Sequence, residues 1–97
     1  MIRGAHLDQR IQKYIAETGV RVTPAQKKLI DWTMGTKETA AQCGSQDVAQ
    51  LLQLMIRTIQ ARRVVEIGTL TGVTTVALAI ALPADGQVIT IDNTDRW

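Results

Sequence analysis

The chain has 97 residues, a formal net charge of +2, and 45% hydrophobic but only 3% aromatic residues. These values indicate one small globular domain with an aliphatic core, and they exclude a chain that is disordered throughout. There is no basic stripe for nucleic acid, no uninterrupted apolar run for a membrane span, and no signal-peptide pattern in the first residues. The single Cys43 cannot form an internal disulfide, so we expect a cytoplasmic protein.

Three segments of the first 62 residues predict helices. Leu7–Thr18 has apolar residues at helical spacing and is followed by Gly19, a typical stop. Thr23-Pro24 is typical of a helix N-cap and first helical position, and Ser45 offers an N-cap to the third helix. The polar segment 36–44 between them predicts a linker or a short irregular helix. The third helix has an apolar stripe that we expect to lie in the core, formed by Val48, Leu51, Leu52, Met55 and Ile59.

The pattern then changes from helical spacing to short β-branched runs. Arg63–Ile67 predicts a strand, and its nearly continuous apolar character is typical of a parallel strand covered on both faces. An alanine-rich helix over Val73–Leu82, a turn at 83–86 and a second strand over Gln87–Ile91 follow. Together these elements predict a βαβ unit with a right-handed crossover.

These elements predict an α/β protein in two parts. Residues 1–62 form an N-terminal helical region, and residues 63–97 form the βαβ unit.

Chemistry-bearing residues follow both strands, at the edge where open α/β sheets bind ligands. Gly68 and Gly72 allow the backbone to approach a ligand closely, and the helix after them presents free N–H groups to an anion. Thr74 adds a hydroxyl in the first turn of that helix. Asp92 follows the second strand, where a carboxylate can accept hydrogen bonds from both hydroxyls of a ribose.

Two phosphate-binding motifs do not fit this loop. Leu70 and Val73 stand where a G-x-G-x-x-G dinucleotide motif has its second and third glycines, and no Gly-Lys-Ser/Thr follows as in a P-loop. A site for a small anion and a ribose remains, which suits S-adenosylmethionine because it has a carboxylate, a ribose and no phosphate. The residues alone also leave open that Gly68 and Gly72 are simple turn glycines and that Asp92 is a strand-end acid or an N-cap.

Three successive segments resemble a known family: the strand and loop at 64–74, the helix and turn at 77–86, and the strand and acid at 87–92. Together they resemble the class I S-adenosylmethionine-dependent O-methyltransferases, and within these the caffeoyl-CoA and catechol O-methyltransferase group. The resemblance covers about residues 44–92. It implies N-terminal helices followed by one βαβ unit of a Rossmann-like methyltransferase fold, truncated here after the second strand.

The resemblance implies cofactor-binding roles for residues in four segments. The backbone of Gly44 meets the methionine part of the cofactor, the carboxylate of Glu66 lies near its amino group, and Asn93 borders the adenine. The loop residues and the first turn of the next helix contact the cofactor, and the acid after the second strand holds the ribose. The full set is Gly44, Glu66, Gly68, Thr69, Leu70, Gly72, Thr74 and Asp92.

The same resemblance implies methyl transfer to a hydroxyl of a small molecule, with help from a divalent metal such as Mg²⁺. In the family, the metal ligands and the catalytic base come from later segments, so we expect this chain to be the N-terminal, cofactor-binding portion of an enzyme and inactive by itself. The alternative is a non-catalytic binding or interaction module. A two-stranded sheet with an open edge invites pairing with another chain, so we also predict a homo-oligomer.

Overall fold

The structure, a computed structural model, describes residues 8–97. Leu7, the first residue of the predicted N-terminal helix, lies outside this range. The described elements are, in chain order, α1 (Gln9–Thr18), α2 (Pro24–Thr33), α3 (Lys37–Gln42), α4 (Gln46–Thr58), β1 (Arg63–Ile67), α5 (Val73–Ala81) and β2 (Gln87–Ile91). The predicted α/β class, with helices first and a βαβ unit after them, is confirmed.

Side-chain caps mark the starts of α2 and α3. Thr23 accepts a hydrogen bond from the Gln26 amide, and the Gln26 side chain accepts one from the Thr23 amide, with Pro24 at the first helical position. This confirms the predicted start of α2. The short helix α3 settles the nature of segment 36–44, and Thr36 caps it. Ser45 stands at the N-cap of α4, but its hydroxyl bonds the Asp47 carboxylate instead of a backbone amide and lowers the pKa of that acid.

The apolar stripe predicted for the core side of α4 is wrong except at Leu52, which packs against the core cluster. Its members are mostly exposed: Val48 to 52%, Leu51 to 54% and Ile59 to 74%. The buried face of α4 is instead formed by Ala49, Gln53 and Ile56. Helix α5 packs against this face, and the Gln53 side-chain amide donates to the Ala77 carbonyl at 2.8 Å, which satisfies a polar group at the helix contact.

The two strands form the predicted parallel pair with the predicted bounds. Arg63 lies opposite Gln87, and Ile67 lies opposite Ile91. The pairing continues into the loop, because the Gly68 amide donates to the Ile91 carbonyl at 2.7 Å. Helix α5 ends one residue earlier than predicted, since Leu82 precedes Pro83 and adopts an extended conformation.

The core lies between the helices and one face of the sheet. Ile56, Leu78 and Ala81 form its buried cluster, with flanking contacts from Leu52, Ala61, Val64, Leu82 and Val88. This core joins residues on both sides of residue 62, and the division at that point stays a prediction.

The opposite sheet face is open among residues 8–97: Val65 is 58% exposed and Ile67 is 79% exposed. The prediction of a strand covered on both faces is therefore wrong for β1, because α4 and α5 pack on the same side. The apolar open face also has Ile89 and Ile91, which are 41% and 51% exposed. Self-association stays a prediction.

No helix within residues 8–97 is long and apolar enough to cross a bilayer. The cytoplasmic location stays a prediction.

Candidate functional site

The loop between β1 and α5 has an unusual backbone. Gly68 and Gly72 have φ values of +90° and +91°, and Leu70 between them has +50°. No atom lies within 4 Å of a Cβ placed on either glycine, so conformation and not crowding requires glycine there. Left-handed backbone costs an L-residue such as Leu70 about 1–2 kcal/mol. The loop therefore needs contacts outside itself to hold this shape.

Asp92, the residue after β2, contacts the loop through its side chain. Its Oδ2 accepts hydrogen bonds from the backbone amides of Thr69, at 2.8 Å, and Leu70, at 3.0 Å. Its Oδ1 accepts one from the Asn93 amide at 2.7 Å. The acid and the glycine-rich loop, which the sequence places at one sheet edge, are thus in direct contact.

These bonds predict a titration of the loop at low pH. The Leu70 amide first and the Thr69 amide second hold the pKa of Asp92 below its ordinary value of 3.8. Because the folded-state pKa is the lower one, the contact is fully present above pH 3.8 and is lost as the pH falls through the folded pKa. We expect the NMR amide signals of Thr69 and Leu70 to titrate together with a midpoint below 3.8.

The Asp92→Asn variant provides the control for that titration. The amide side chain keeps the shape of the acid but has no carboxylate to protonate, so the shared transition of the two amide signals should disappear. A midpoint above 3.8 in the unchanged chain would contradict the assigned hydrogen bonds.

Gly44 and Thr74 meet on the other side of the loop. A Cβ placed on Gly44 would lie 3.5 Å from the Thr74 hydroxyl oxygen, an ordinary contact distance. Thr74 is in the first turn of α5, where backbone N–H groups have no partner within the helix. The N-terminus of α5 and the segment before α4 are therefore adjacent.

Glu66 is the buried member of the predicted set, with 9% exposure. Its Oε1 accepts hydrogen bonds from the hydroxyls of Thr75, at 2.5 Å, and Thr90, at 2.8 Å. These bonds place the carboxylate between β1, β2 and α5. The proposed proximity of Glu66 to a cofactor amino group stays a prediction.

Sequence reasoning missed the threonines that surround the loop. The Thr69 hydroxyl lies 2.6 Å from that of Thr90, and the Thr71 hydroxyl lies 2.6 Å from that of fully buried Thr33 on α2. Thr90 had a signal, because the parallel register places it opposite Glu66. Thr33 had none, since its contact depends on where α2 packs.

The divalent metal implied by the resemblance has no ligand set here. Within residues 8–97, no three His, Cys, Asp or Glu side chains lie close enough together to hold a metal ion. Cys43 is half-buried, and burial raises the pKa of its thiol, which disfavours the thiolate that binds metals. The described residues therefore do not fit a metal centre.

The chain is similar in sequence to curated O-methyltransferases. The chain is 33% identical over 90 residues to the caffeoyl-CoA O-methyltransferase of Petroselinum crispum, covering 84% of this chain and 34% of that protein. It is 32% identical over 85 residues to the catechol O-methyltransferase domain-containing protein 1 of Mus musculus, covering 88% of this chain and 32% of the relative. The chain thus spans about a third of the length of these two relatives.

Solved structures show the same fold. The O-methyltransferase TomG of Streptomyces achromogenes, involved in tomaymycin synthesis and solved with SAM, matches with a TM-score of 0.71 and 32% identity, over 84% of this chain and 36% of that one. An O-methyltransferase of Bacillus cereus solved with SAH matches with a TM-score of 0.73 and 24% identity, over 90% of this chain and 39% of that one, which supports the fold alone.

The sequence profile of the O-methyltransferase family matches residues 16–96, nearly the whole described chain. This match and the two relatives confirm the resemblance inferred from the loop, the turn and the acid after β2. The chain belongs to the O-methyltransferase family.

Proposed function

We propose that the chain is the cofactor-binding portion of an S-adenosylmethionine-dependent O-methyltransferase, which transfers a methyl group to a hydroxyl of a small molecule. The observation that carries this proposal is the contact between Asp92 and the amides of Thr69 and Leu70. It joins an acid suited to a ribose with a loop suited to close backbone approach, at the carboxyl edge of a parallel sheet. Family membership and the SAM-bound structure of TomG support the same cofactor.

The ribose and the amino-acid part of the proposed ligand have matching groups in the site. A carboxylate oxygen accepts about two hydrogen bonds, and the loop amides already use both positions on Oδ2 of Asp92. A ribose hydroxyl would therefore donate to Oδ1, at the acceptor position that the amide of Asn93 leaves open. The amino-acid part would lie where Gly44 meets Thr74, since a carboxylate suits the free N–H groups of α5.

The cofactor supplies an activated methyl group on its sulfonium, and the described residues bind and orient it. No residue within 8–97 is assigned as the base that accepts the proton of the methyl acceptor, and none of these residues is assigned as a metal ligand. Methyl transfer, its acceptor and any divalent cation are properties that we propose for the whole protein. The binding of the cofactor is the part that this chain alone can test.

Titration calorimetry with S-adenosylhomocysteine tests the proposal. We expect saturable binding by the unchanged chain and about ten- to hundredfold weaker binding by Asp92→Asn, because a hydrogen bond to a charged group is lost. The matched control is Asp95→Asn, which removes the same charge from an exposed acid three residues away. We expect it to change the dissociation constant by less than about twofold, since distant exposed charges interact weakly through solvent.

Two results would overturn the proposal. One is the absence of saturable binding by the folded, unchanged chain. The other is equal affinity in the Asp92→Asn and unchanged chains, which would remove the acid from the ligand site. Stronger binding of NAD than of S-adenosylhomocysteine would instead favour a dinucleotide site.

A further inference from the structure

A buried carboxylate of the site has a role that cofactor contact does not explain. Glu66 lies in register with Thr90 across the parallel pair, and both point to the helix-covered side of the sheet. An ionised carboxylate that loses its water needs hydrogen-bond donors in exchange. Thr75 from α5 and Thr90 from β2 provide them, both at Oε1.

The chain of hydroxyls continues from Glu66 to the loop. The Thr90 hydroxyl has one proton, and it donates that proton to Glu66. The 2.6 Å contact between the hydroxyls of Thr90 and Thr69 therefore requires Thr69 to be the donor. The hydrogen bonds therefore run in one direction: Thr69 donates to Thr90, and Thr90 donates to Glu66.

Thr69 is thereby held at two points. Its hydroxyl donates towards Thr90 and Glu66, and its backbone amide donates to Asp92 at 2.8 Å. The hydroxyl and the backbone amide of Thr69 each donate a hydrogen bond within the protein. The next residue, Leu70, has a positive φ, which is costly for an L-residue. Asp92 directly and Glu66 through Thr90 therefore hold Thr69, the residue that follows Gly68 in the loop.

We infer that Glu66 is a positioning residue, which acts through Thr90 to hold Thr69 in place and to leave the Thr69 hydroxyl oxygen able only to accept a hydrogen bond from a ligand. Beside the acceptor Asp92, this makes the edge of the loop selective for groups that donate, such as ribose hydroxyls or an ammonium, and unfavourable for phosphate. The selectivity for donating groups rests on the proposed function. The positioning of Thr69 by Glu66 does not depend on a ligand.

The two threonines that bind Glu66 allow a matched experiment. Thr90→Val and Thr75→Val each remove one hydroxyl from the same carboxylate oxygen, with little change of shape. Only Thr90 links the carboxylate to Thr69. Valine suits a strand position such as 90, so we expect the variant to fold, and Thr90→Ser restores the hydroxyl.

The first measurement is made without ligand, on the NMR amide signals of Thr69 and Leu70. We expect Thr90→Val to move both signals towards values of a flexible chain and to speed their hydrogen exchange, whereas Thr75→Val leaves them near those of the unchanged chain. Thr90→Ser should return them. Equal changes in Thr75→Val and Thr90→Val would show that Glu66 is only structural, and unchanged signals in both would overturn the inference.

The second measurement is calorimetry with S-adenosylhomocysteine. We expect Thr90→Val to weaken binding about fivefold or more, with Thr75→Val and Thr90→Ser within about twofold of the unchanged chain. Equal affinity of Thr90→Val and the unchanged chain would overturn the ligand side of the inference. If the unchanged chain does not bind at all, the proposed function fails, and the amide signals still decide the role of Glu66.

Discussion

Replacing Leu78 with alanine should lower the free energy of unfolding by about 2–5 kcal/mol, the range for removing a buried leucine side chain. Leu78 is only 5% exposed and belongs to the core cluster together with Ile56 and Ala81. The chain has few large buried side chains to compensate, because its aromatic fraction is 3%. A small domain loses about 4–8 °C in melting temperature for each kcal/mol, so thermal and urea unfolding should both show the change clearly.

Ile80→Ala provides the control for Leu78→Ala. It removes the same number of carbon atoms from the same helix, but Ile80 is 41% exposed. We expect a loss below about 1 kcal/mol, since the side chain gives up less buried surface. A loss in Ile80→Ala as large as that in Leu78→Ala would mean that α5 packs with a different face towards α4.

The contrast between these two residues shows where sequence reasoning was sufficient. The bounds of both strands, the parallel pairing and the capped start of α2 follow from β-branched runs, turn residues and the Thr23-Pro24 pair. Local chemistry determines these features. The direction in which a helix faces does not follow in the same way when apolar residues surround it, as in α5, where Ala79 and Ile80 are exposed and Ala77 and Leu78 are buried.

Helix α4 also shows that the sequence alone does not determine which face of a helix is buried. Its sequence has apolar residues on more than one side, and the larger ones, such as Leu51 and Leu54, are over half exposed. The structure instead buries the side formed by Ala49, Gln53 and Ile56, where the Gln53 side-chain amide donates to the α5 backbone. Hydrophobic spacing predicts that a helix exists, but the partner element determines which face it buries.

In the candidate site, too, residues with local sequence signals were predictable and residues placed by tertiary packing were not. Gly68, Gly72 and Asp92 were predictable because strand ends and turns have local signals, and the structure brings the acid to the loop. The threonine partners depend on tertiary contacts. Thr90 becomes visible once the register is known, whereas the pairing of Thr71 with Thr33 needs the packed position of α2.

The end of the loop depends on the backbone conformation of Gly72. Gly72 is the N-cap of α5 and has a φ of +91° with open space around it. Replacing it with valine should destabilise the fold by about 1–3 kcal/mol, because a β-branched residue strongly disfavours positive φ. If the backbone relaxes to negative φ instead, the first turn of α5 and Thr74 move away from Gly44, and we expect S-adenosylhomocysteine to bind at least about tenfold more weakly.

Gly44→Ala separates this effect from the general cost of adding a side chain near the site. Gly44 is outside the positive φ region, and its added Cβ would make an ordinary 3.5 Å contact with Thr74. Urea unfolding should therefore place Gly44→Ala within about 0.5 kcal/mol of the unchanged chain. A Gly72→Val chain as stable as Gly44→Ala, with unweakened ligand binding, would show that the left-handed turn is not needed, and that the loop is held by the contacts of Thr69 and Leu70 with Asp92 alone.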